Sequence, residues 1–407
     1  MHREGHEAQD KRALFSLLGV AGFGSVLCTR VCDAMLPALA QDFSTSIGEA
    51  AATVSAYAMA YAVMQLVYGP LGDRYGKLRV IGLAALFCAL SSACAALAPS
   101  LFTLVLSRVG MGIGAAAVVP LVVAWIGDNV ELVERQQWLA RYAGYTVIGL
   151  VISPVLGGVC AQLISWRVSF VPTALLFVVL AFKLLHGRHA RSPSGRPKPP
   201  PLPYLHQVRG LLASARTRFV LAATLIETAL GIAPLAFVPT VLHERFGLDL
   251  LMGGLVAGMF GVGGFVFSRS ASSLMQRSGR AALPLTGGLS LALAYGGLAI
   301  IPHWAWAMPA CALAGFGFFA IHNTLQLQAT QLSTSASGLA VSMFASCIFI
   351  GQSGGVALLA VSVARADPAW SFAAAALGLA VLGWVVRRFV LQQASVPTQD
   401  EGAPLSA

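Results

Sequence analysis

Apolar runs long enough to cross a lipid bilayer recur along almost the whole of this 407-residue chain, and they leave it very few folds. A helix needs about 20 residues to span the hydrocarbon layer. Runs of that order lie near 14–37, 51–70, 80–98, 102–125, 138–163, 168–186, 219–241, 250–274, 281–301, 305–327, 338–363 and 369–391. In hydrocarbon the backbone satisfies its N–H and C=O groups only in helices or closed barrels, and these runs lack the strict alternation of barrel strands. The expected fold class is therefore all-α and integral to the membrane, with twelve transmembrane helices. Charged residues make up only 10% of the chain, against about 25% in soluble domains.

The net charge of +10 could be read as a nucleic-acid surface, but the bases are placed otherwise. With the N-terminus in the cytoplasm, all but six of the 26 Lys and Arg fall on the cytoplasmic side. Arg167, Arg245 and Arg365 fall outside, and Arg30, Arg108 and Arg269 lie within spans. That asymmetry is the positive-inside rule. It places both termini in the cytoplasm of a cell whose inner membrane the chain crosses, and it excludes nucleic acid as the partner. The seven cysteines all lie in spans without metal-ligand company, so they read as small packing residues. Nothing in the sequence calls for a cofactor or a metal. The first apolar run is too long for a cleavable signal and is followed by eleven more.

Residues 187–218 interrupt the pattern with Arg188, Arg191, Arg196, Lys198, Pro199-Pro200-Pro201, Arg209, Arg216 and Arg218. A basic, proline-rich stretch of this kind is a cytoplasmic linker. The expected organisation is a tail at 1–13, six helices in 14–186, the linker, six helices in 219–391 and a tail at 392–407.

Between the second and third runs the chain reads Gly69-Pro70-Leu71-Gly72-Asp73-Arg74-Tyr75-Gly76-Lys77-Leu78-Arg79. Two helices joined this tightly need a chain reversal, which glycine permits. An acid followed by bases at that point reads as a structured hinge. The run closely resembles the G-x-L-x-D-R-x-G-R/K loop between helices 2 and 3 of the major facilitator superfamily of transporters. A weaker copy follows the eighth run, Ser272-Ser273-Leu274-Met275-Gln276-Arg277-Ser278-Gly279-Arg280, with Gln276 in the place of Asp73. The two copies point to a duplicated six-helix unit, the parallel repeat of this class. The resemblance implies two pseudo-symmetric six-helix bundles that hold a small-molecule substrate near the midplane. It also implies that Asp73 faces the N-terminus of helix 11, here Ser337-Gly338, where the helix dipole favours negative charge. That contact, with Arg74 and Lys77 adding links, would latch the cytoplasmic side shut.

Of sixteen acidic residues only Asp33 and Glu227 fall within the bilayer, and His322 is the only histidine there. Ionisable groups at that depth are costly and usually functional. Arg30 lies roughly 7 Å outward of the middle of span 1 at 1.5 Å per residue, with Asp33 a turn further and Arg108 at a similar depth in span 4. Spans 1 and 4 would line the central cavity in the superfamily fold, so Arg30, Asp33 and Arg108 are expected to form one cluster. The alternative is that Arg30 and Asp33, three apart on a helix, neutralise each other as a structural pair. Arg108 opens Arg108-Val109-Gly110-Met111-Gly112-Ile113-Gly114, which resembles the R-x-x-x-G-x-G pattern of proton-coupled members; the resemblance implies a part in proton transfer. Glu227 has no cation near it in sequence, and a carboxyl removed from water favours its neutral form, as a proton-coupling group needs. The alternative for Glu227 is a hydrogen bond across helices. His322, Asn323, Gln326 and Gln328 form a polar ladder in span 10, and Tyr57, Tyr61 and Gln65 recur every four residues in span 2. Both sets suit either a ligand in an apolar cavity or the joining of helices.

Span 5 contains Gly149-Leu150-Val151-Ile152-Ser153-Pro154-Val155-Leu156-Gly157-Gly158. It resembles the G-x-x-x-G-P-x-x-G-G motif of drug/proton antiporters, with Ser153 in place of a glycine. Pro154 bends the helix, and Gly149, Gly157 and Gly158 are expected to admit glycine-rich span 8 (Gly254, Gly258, Gly261, Gly264). The sequence thus points to a monomeric secondary transporter exporting small molecules by proton antiport. The rival reading is a proton-coupled importer of a small organic anion, suited to the field of Arg30 and Arg108. A receptor would need an output domain, for which the tails are too short. An enzyme would need a nucleophile, metal or phosphate-binding set at a membrane face, and the sequence offers none.

Overall fold

A computed structural model describes residues 2–186, 204–333, 337–365 and 367–394. The basic, proline-rich part of the linker and the last residues of the chain lie outside the described residues. Among the described residues there is no strand. Twelve helical spans are long and apolar enough to cross a membrane: Lys11–Asp42, Ile47–Tyr75, Lys77–Ala96, Leu101–Asn129, Val133–Leu163, Trp166–His186, Ala215–Phe246, Leu250–Arg277, Ala282–Ala299, Trp304–Thr330, Gly338–Ser362 and Pro368–Gln393. Each coincides with one of the apolar runs, and most are longer. Some of the extra turns are polar helix formers beyond the reach of hydropathy. Span 5 takes in Glu134, Arg135 and Gln136, which favour helix well enough to lengthen it. Span 2 starts at a capping box in which Ser46 and Glu49 satisfy each other's backbone N–H groups.

Spans 1 and 7 are each broken at the same relative point. The first helix stops at Arg30, a 3₁₀ turn covers Asp33–Met35, and helix resumes over Leu36–Asp42. Span 7 stops at Gly231, turns through Ala233–Ala236 and resumes over Val238–Phe246. Pro37 and Pro239 stand in the first turn of the resumed helices, where a missing N–H costs nothing. Helix pairing repeats as well. Span 1 packs on 5, 2 on 4, and 3 on 4 and 6; span 7 packs on 11, 8 on 10, and 9 on 10 and 12. One apolar core, including Leu18, Val54, Met111 and Phe177, fills the first lobe. A second, including Val220, Leu291, Phe318 and Leu379, fills the other.

The lobes meet along two seams, span 5 against 8 and span 2 against 11. Gly158 abuts the Leu250 carbonyl, Gly254 the Pro154 carbonyl and Gly258 the Val151 carbonyl, so backbone lies on backbone. On the other seam Ser353 Oγ donates to Ser55 O at 2.8 Å and Ser346 Oγ to Ala62 O at 2.9 Å. Tyr61 stacks on Phe349 with ring centroids 3.9 Å apart. These contacts run from the end of the bundle away from the chain termini, at Ile47, Leu163, Leu250 and Ser362, to about its middle, where Ser346 meets Ala62. One expectation needs correcting: Gly149 and Gly157 do not face span 8 but meet the carbonyls of Phe23 and Val31 in span 1. Periodicity gives the spacing of small residues, and the turn of the helix decides which neighbour each one meets.

The hinge reverses at Gly76, with φ +90°, and its second copy reverses at Gly279, with φ +76°. Gly69 lies within helix with open space where a Cβ would stand. Gly76→Val should therefore cost about 1–3 kcal/mol and lower the thermal midpoint of the purified protein, whereas Gly69→Ala should leave that midpoint unchanged or raise it.

Candidate functional site

The break in span 1 is held from span 5. Ser153 Oγ donates to Leu27 O at 2.5 Å and accepts from Arg30 N–H at 3.2 Å, so it takes up two backbone groups where the helix ends. This is what Ser153 does in place of the motif's glycine. Arg30 Nη2 then lies 2.6 Å from Asp33 Oδ2, both side chains being at most 5% exposed. The guanidinium also lies over the Phe260 ring of span 8, 5.7 Å from its centroid, and so reaches across to the other lobe.

Arg108 is fully buried but turns to other partners. Its Nε donates to Thr53 O at 3.1 Å, and its Cζ lies 4.2 Å from the centroid of the Tyr57 ring. The three charges are thus near one another, but only Arg30 and Asp33 form an ion pair. Arg108 is held by a carbonyl and a π face inside the first lobe. Tyr57 donates to Ser25 O at 3.4 Å and Tyr61 OH lies 3.5 Å from Ser25 Oγ. Both rings are buried in packing between helices. Gln65 is also buried, and its Oε1 has no partner among the described residues.

In the second lobe Glu227 and His322 come together, although 95 residues separate them. His322 Nδ1 lies 3.2 Å from Glu227 Oε2, and the carboxylate is wholly buried. The imidazole stacks on Phe318 with centroids 5.1 Å apart and also touches Phe344. Glu227 Oε1 has no partner among the described residues. The rest of the span 10 ladder divides. Asn323 and Gln326 are exposed, and Gln328 Oε1 accepts from Arg216 Nη2 at 2.6 Å.

At the hinge Lys77 is the centre of charge. Its Nζ lies 3.5 Å from Asp73 Oδ1 and pairs closely with Asp128 at the end of span 4. Arg74 lies over its neighbour Tyr75. The helix of span 11 begins at Ser337, and residues 334–336 before it are outside the described residues. Sequence reasoning missed two partners here. Asp128 carried a signal, an acid on the hinge side of the bundle, whereas the His322–Glu227 contact is fixed only by how spans 7 and 10 pack.

Residues 18–356 match the Major Facilitator Superfamily. A probable L-galactonate transporter of Escherichia coli K12 is 26% identical over 307 residues, 69% of this chain and 66% of the relative. The multidrug export protein EmrB of Haemophilus influenzae is 27% identical over 176 residues, 42% of this chain and 34% of the relative. The matches thus span just under two thirds of the first relative and about a third of the second. Among solved structures, a bacterial homologue of the human lysosomal transporter Spinster, inward-facing and unoccupied, superposes with a TM-score of 0.76 at 17% identity, covering 95% of this chain and 99% of that one. The peptide transporter POT in complex with sulfate gives 0.75 at 13%, covering 93% and 94%. With twelve spans, a repeated break in spans 1 and 7 and a match over most of its length, the chain belongs to the Major Facilitator Superfamily.

Proposed function

We propose that this transporter exports small molecules across the cytoplasmic membrane by proton antiport, and that the buried Glu227–His322 pair handles the proton. The observation that carries the reading is a fully buried carboxylate 3.2 Å from an imidazole. Two groups that both bind protons, set in an apolar lobe, can exchange charge without exposing it to lipid. Glu227 Oε1 is the oxygen left to take and release the proton, while His322 Nδ1 holds Oε2. Asp33 is tied to Arg30, so it serves as a proton station only when a conformational change or a substrate draws the arginine away. Arg108, held by Thr53 and Tyr57, ties span 4 to span 2 beside that pair.

The positive-inside asymmetry supports cytoplasmic termini. On that orientation the packed seams lie on the outer side, and the lobes would rock about them to alternate access. Asp73 is assigned the latch to the start of span 11, formed when the inner side closes. In the conformation described, Asp73 is 45% exposed and faces Lys77.

A second reading, proton-coupled import of a small organic anion, is favoured by two buried guanidiniums set against one carboxylate in the first lobe and by the relative named as a probable L-galactonate transporter. Counterflow in right-side-out vesicles separates the two directions. Under the export reading, Glu227→Gln should remove pH-gradient-driven transport in proteoliposomes while leaving downhill exchange measurable; full gradient-driven transport in that variant would end the proton assignment. Asp73→Asn should lower turnover about tenfold, a loss of the order of one helix-end charge contact, with unchanged yield of folded protein. An unaltered rate would take the latch out of the mechanism.

A further inference from the structure

Of the three arginines that the sequence places within spans, Arg30 and Arg108 are buried and Arg269 is exposed. Ionisable side chains in a membrane span usually face the protein interior, so an outward arginine calls for a partner. Arg269 has no hydrogen bond or ion pair among the described residues; its guanidinium lies back over the Phe265 ring, 5.1 Å from the centroid. Phe265 forms part of a recess of about 220 Å³ between the lobes, with Gly261 and Val262 of span 8 and Ile148, Val151 and Ile152 of span 5. The glycine contacts between the two spans end here: Gly261 meets Val151, whereas Gly263 and Gly264 turn to span 10. The lining is apolar throughout, and Ile148 and Phe265 are about half exposed, so the recess opens sideways to the lipid.

Span 5 supplies a second arginine at the same level. The two spans run antiparallel, Gly158 against Leu250, Gly254 against Pro154 and Gly258 against Val151, and that register carried onward sets Arg141 beside Arg269. Arg141 is exposed, stands about two turns before Ile148 on the same helix face, and also lacks a hydrogen bond or ion pair among the described residues. Each arginine lies about 12 Å, at 1.5 Å per residue, from the end of its span on the side of the chain termini, Val133 for one and Arg277 for the other. Spans of 31 and 28 residues exceed the roughly 20 that cross the hydrocarbon. Both long side chains therefore reach the layer of lipid phosphates.

We propose that this is a site for an anionic diacyl phospholipid of the leaflet on the side of the chain termini, its phosphate gripped by Arg141 and Arg269 and one acyl chain lying in the recess. Guanidiniums bind phosphate through charge-assisted, forked hydrogen bonds, and basic pockets between transmembrane helices suit anionic head groups. A zwitterionic head group brings its own cation, which competes with the arginines for the phosphate. Arg141 belongs to the first lobe and Arg269 to the second, so the bound lipid bridges them. The site is separate from the Glu227–His322 pair and does not rest on the transport reading.

The test uses the full-length protein, delipidated in detergent, with dioleoylphosphatidylglycerol as probe and dioleoylphosphatidylcholine and inorganic phosphate as controls. Binding is read from lipid retained in native mass spectrometry and from the shift in thermal midpoint. Phosphatidylglycerol should bind about tenfold or more tightly than phosphatidylcholine, the worth of one charge-assisted contact, and inorganic phosphate should not displace it. Arg141→Gln and Arg269→Gln should each cut that preference about threefold or more, and the double variant should abolish it. Val262→Trp fills the recess and leaves both charges in place, and should weaken phosphatidylglycerol binding. Arg388, an exposed arginine of span 12 that lies over Trp384 at 4.4 Å, is the control, and Arg388→Gln should leave the preference unchanged. All four positions are exposed, so the lipid-free thermal midpoints should stay close to that of the native protein. The proposal is overturned if phosphatidylglycerol shows no preference, or if Arg388→Gln lowers it as much as Arg269→Gln does. Displacement by inorganic phosphate, or unaltered affinity in Val262→Trp, would equally overturn it, since no acyl chain would then be seated in the recess.

Discussion

Backbone lying directly on backbone is the constraint on which the rest of this structure depends. Where span 8 crosses span 5, Gly254 and Gly258 leave no side chain between their own main chain and the carbonyls of Pro154 and Val151. Association of helices in lipid has no hydrophobic driving force of its own and relies on such close packing. The opposite seam uses hydroxyls instead, Ser346 and Ser353 donating to carbonyls of span 2. The seams are apolar as well: Tyr61 stacks on Phe349, and Phe237, Val356 and Ala360 of the second lobe belong to the first lobe's core.

Within that frame the charges sit where helices stop being helical. Span 1 breaks at the residues that carry Arg30 and Asp33, and Ser153 takes the backbone groups the break releases. Span 7 breaks one turn beyond Glu227, where Tyr295 OH donates to Gly231 O at 2.5 Å. The two breaks occupy equivalent places in the two lobes, so the repeat that is faint in sequence is plain in the backbone. Each lobe thus presents one ionisable pair near a helix break, Arg30–Asp33 in the first and Glu227–His322 in the second.

The spans were legible because twelve apolar runs in lipid have one solution, and the hinge because Gly76 and its charged neighbours follow a spacing that few other purposes need. The copy around Gly279 was legible for the same reason. What could not be read was pairing across helices. Glu227 shows no cation in its own span, and only the packing of span 10 brings His322 to it. Gly149 and Gly157 follow a motif whose spacing says that something approaches closely, but not that span 1 is the neighbour. Arg108 looked like part of a cluster because depth along a helix can be counted from sequence. Its rotation toward Thr53 and Tyr57 cannot.

The central claim is that the lobes move as two bodies about the span 5–8 and 2–11 seams. Double electron–electron resonance on two spin-label pairs tests it most directly, one pair at exposed Leu163 and Trp306 near the packed end, the other at Val133 and Gln331 near the termini. In proteoliposomes, imposing a pH gradient should shift the two distance distributions in opposite directions, one lengthening as the other shortens. Distances that stay fixed, or that lengthen together, would contradict the account.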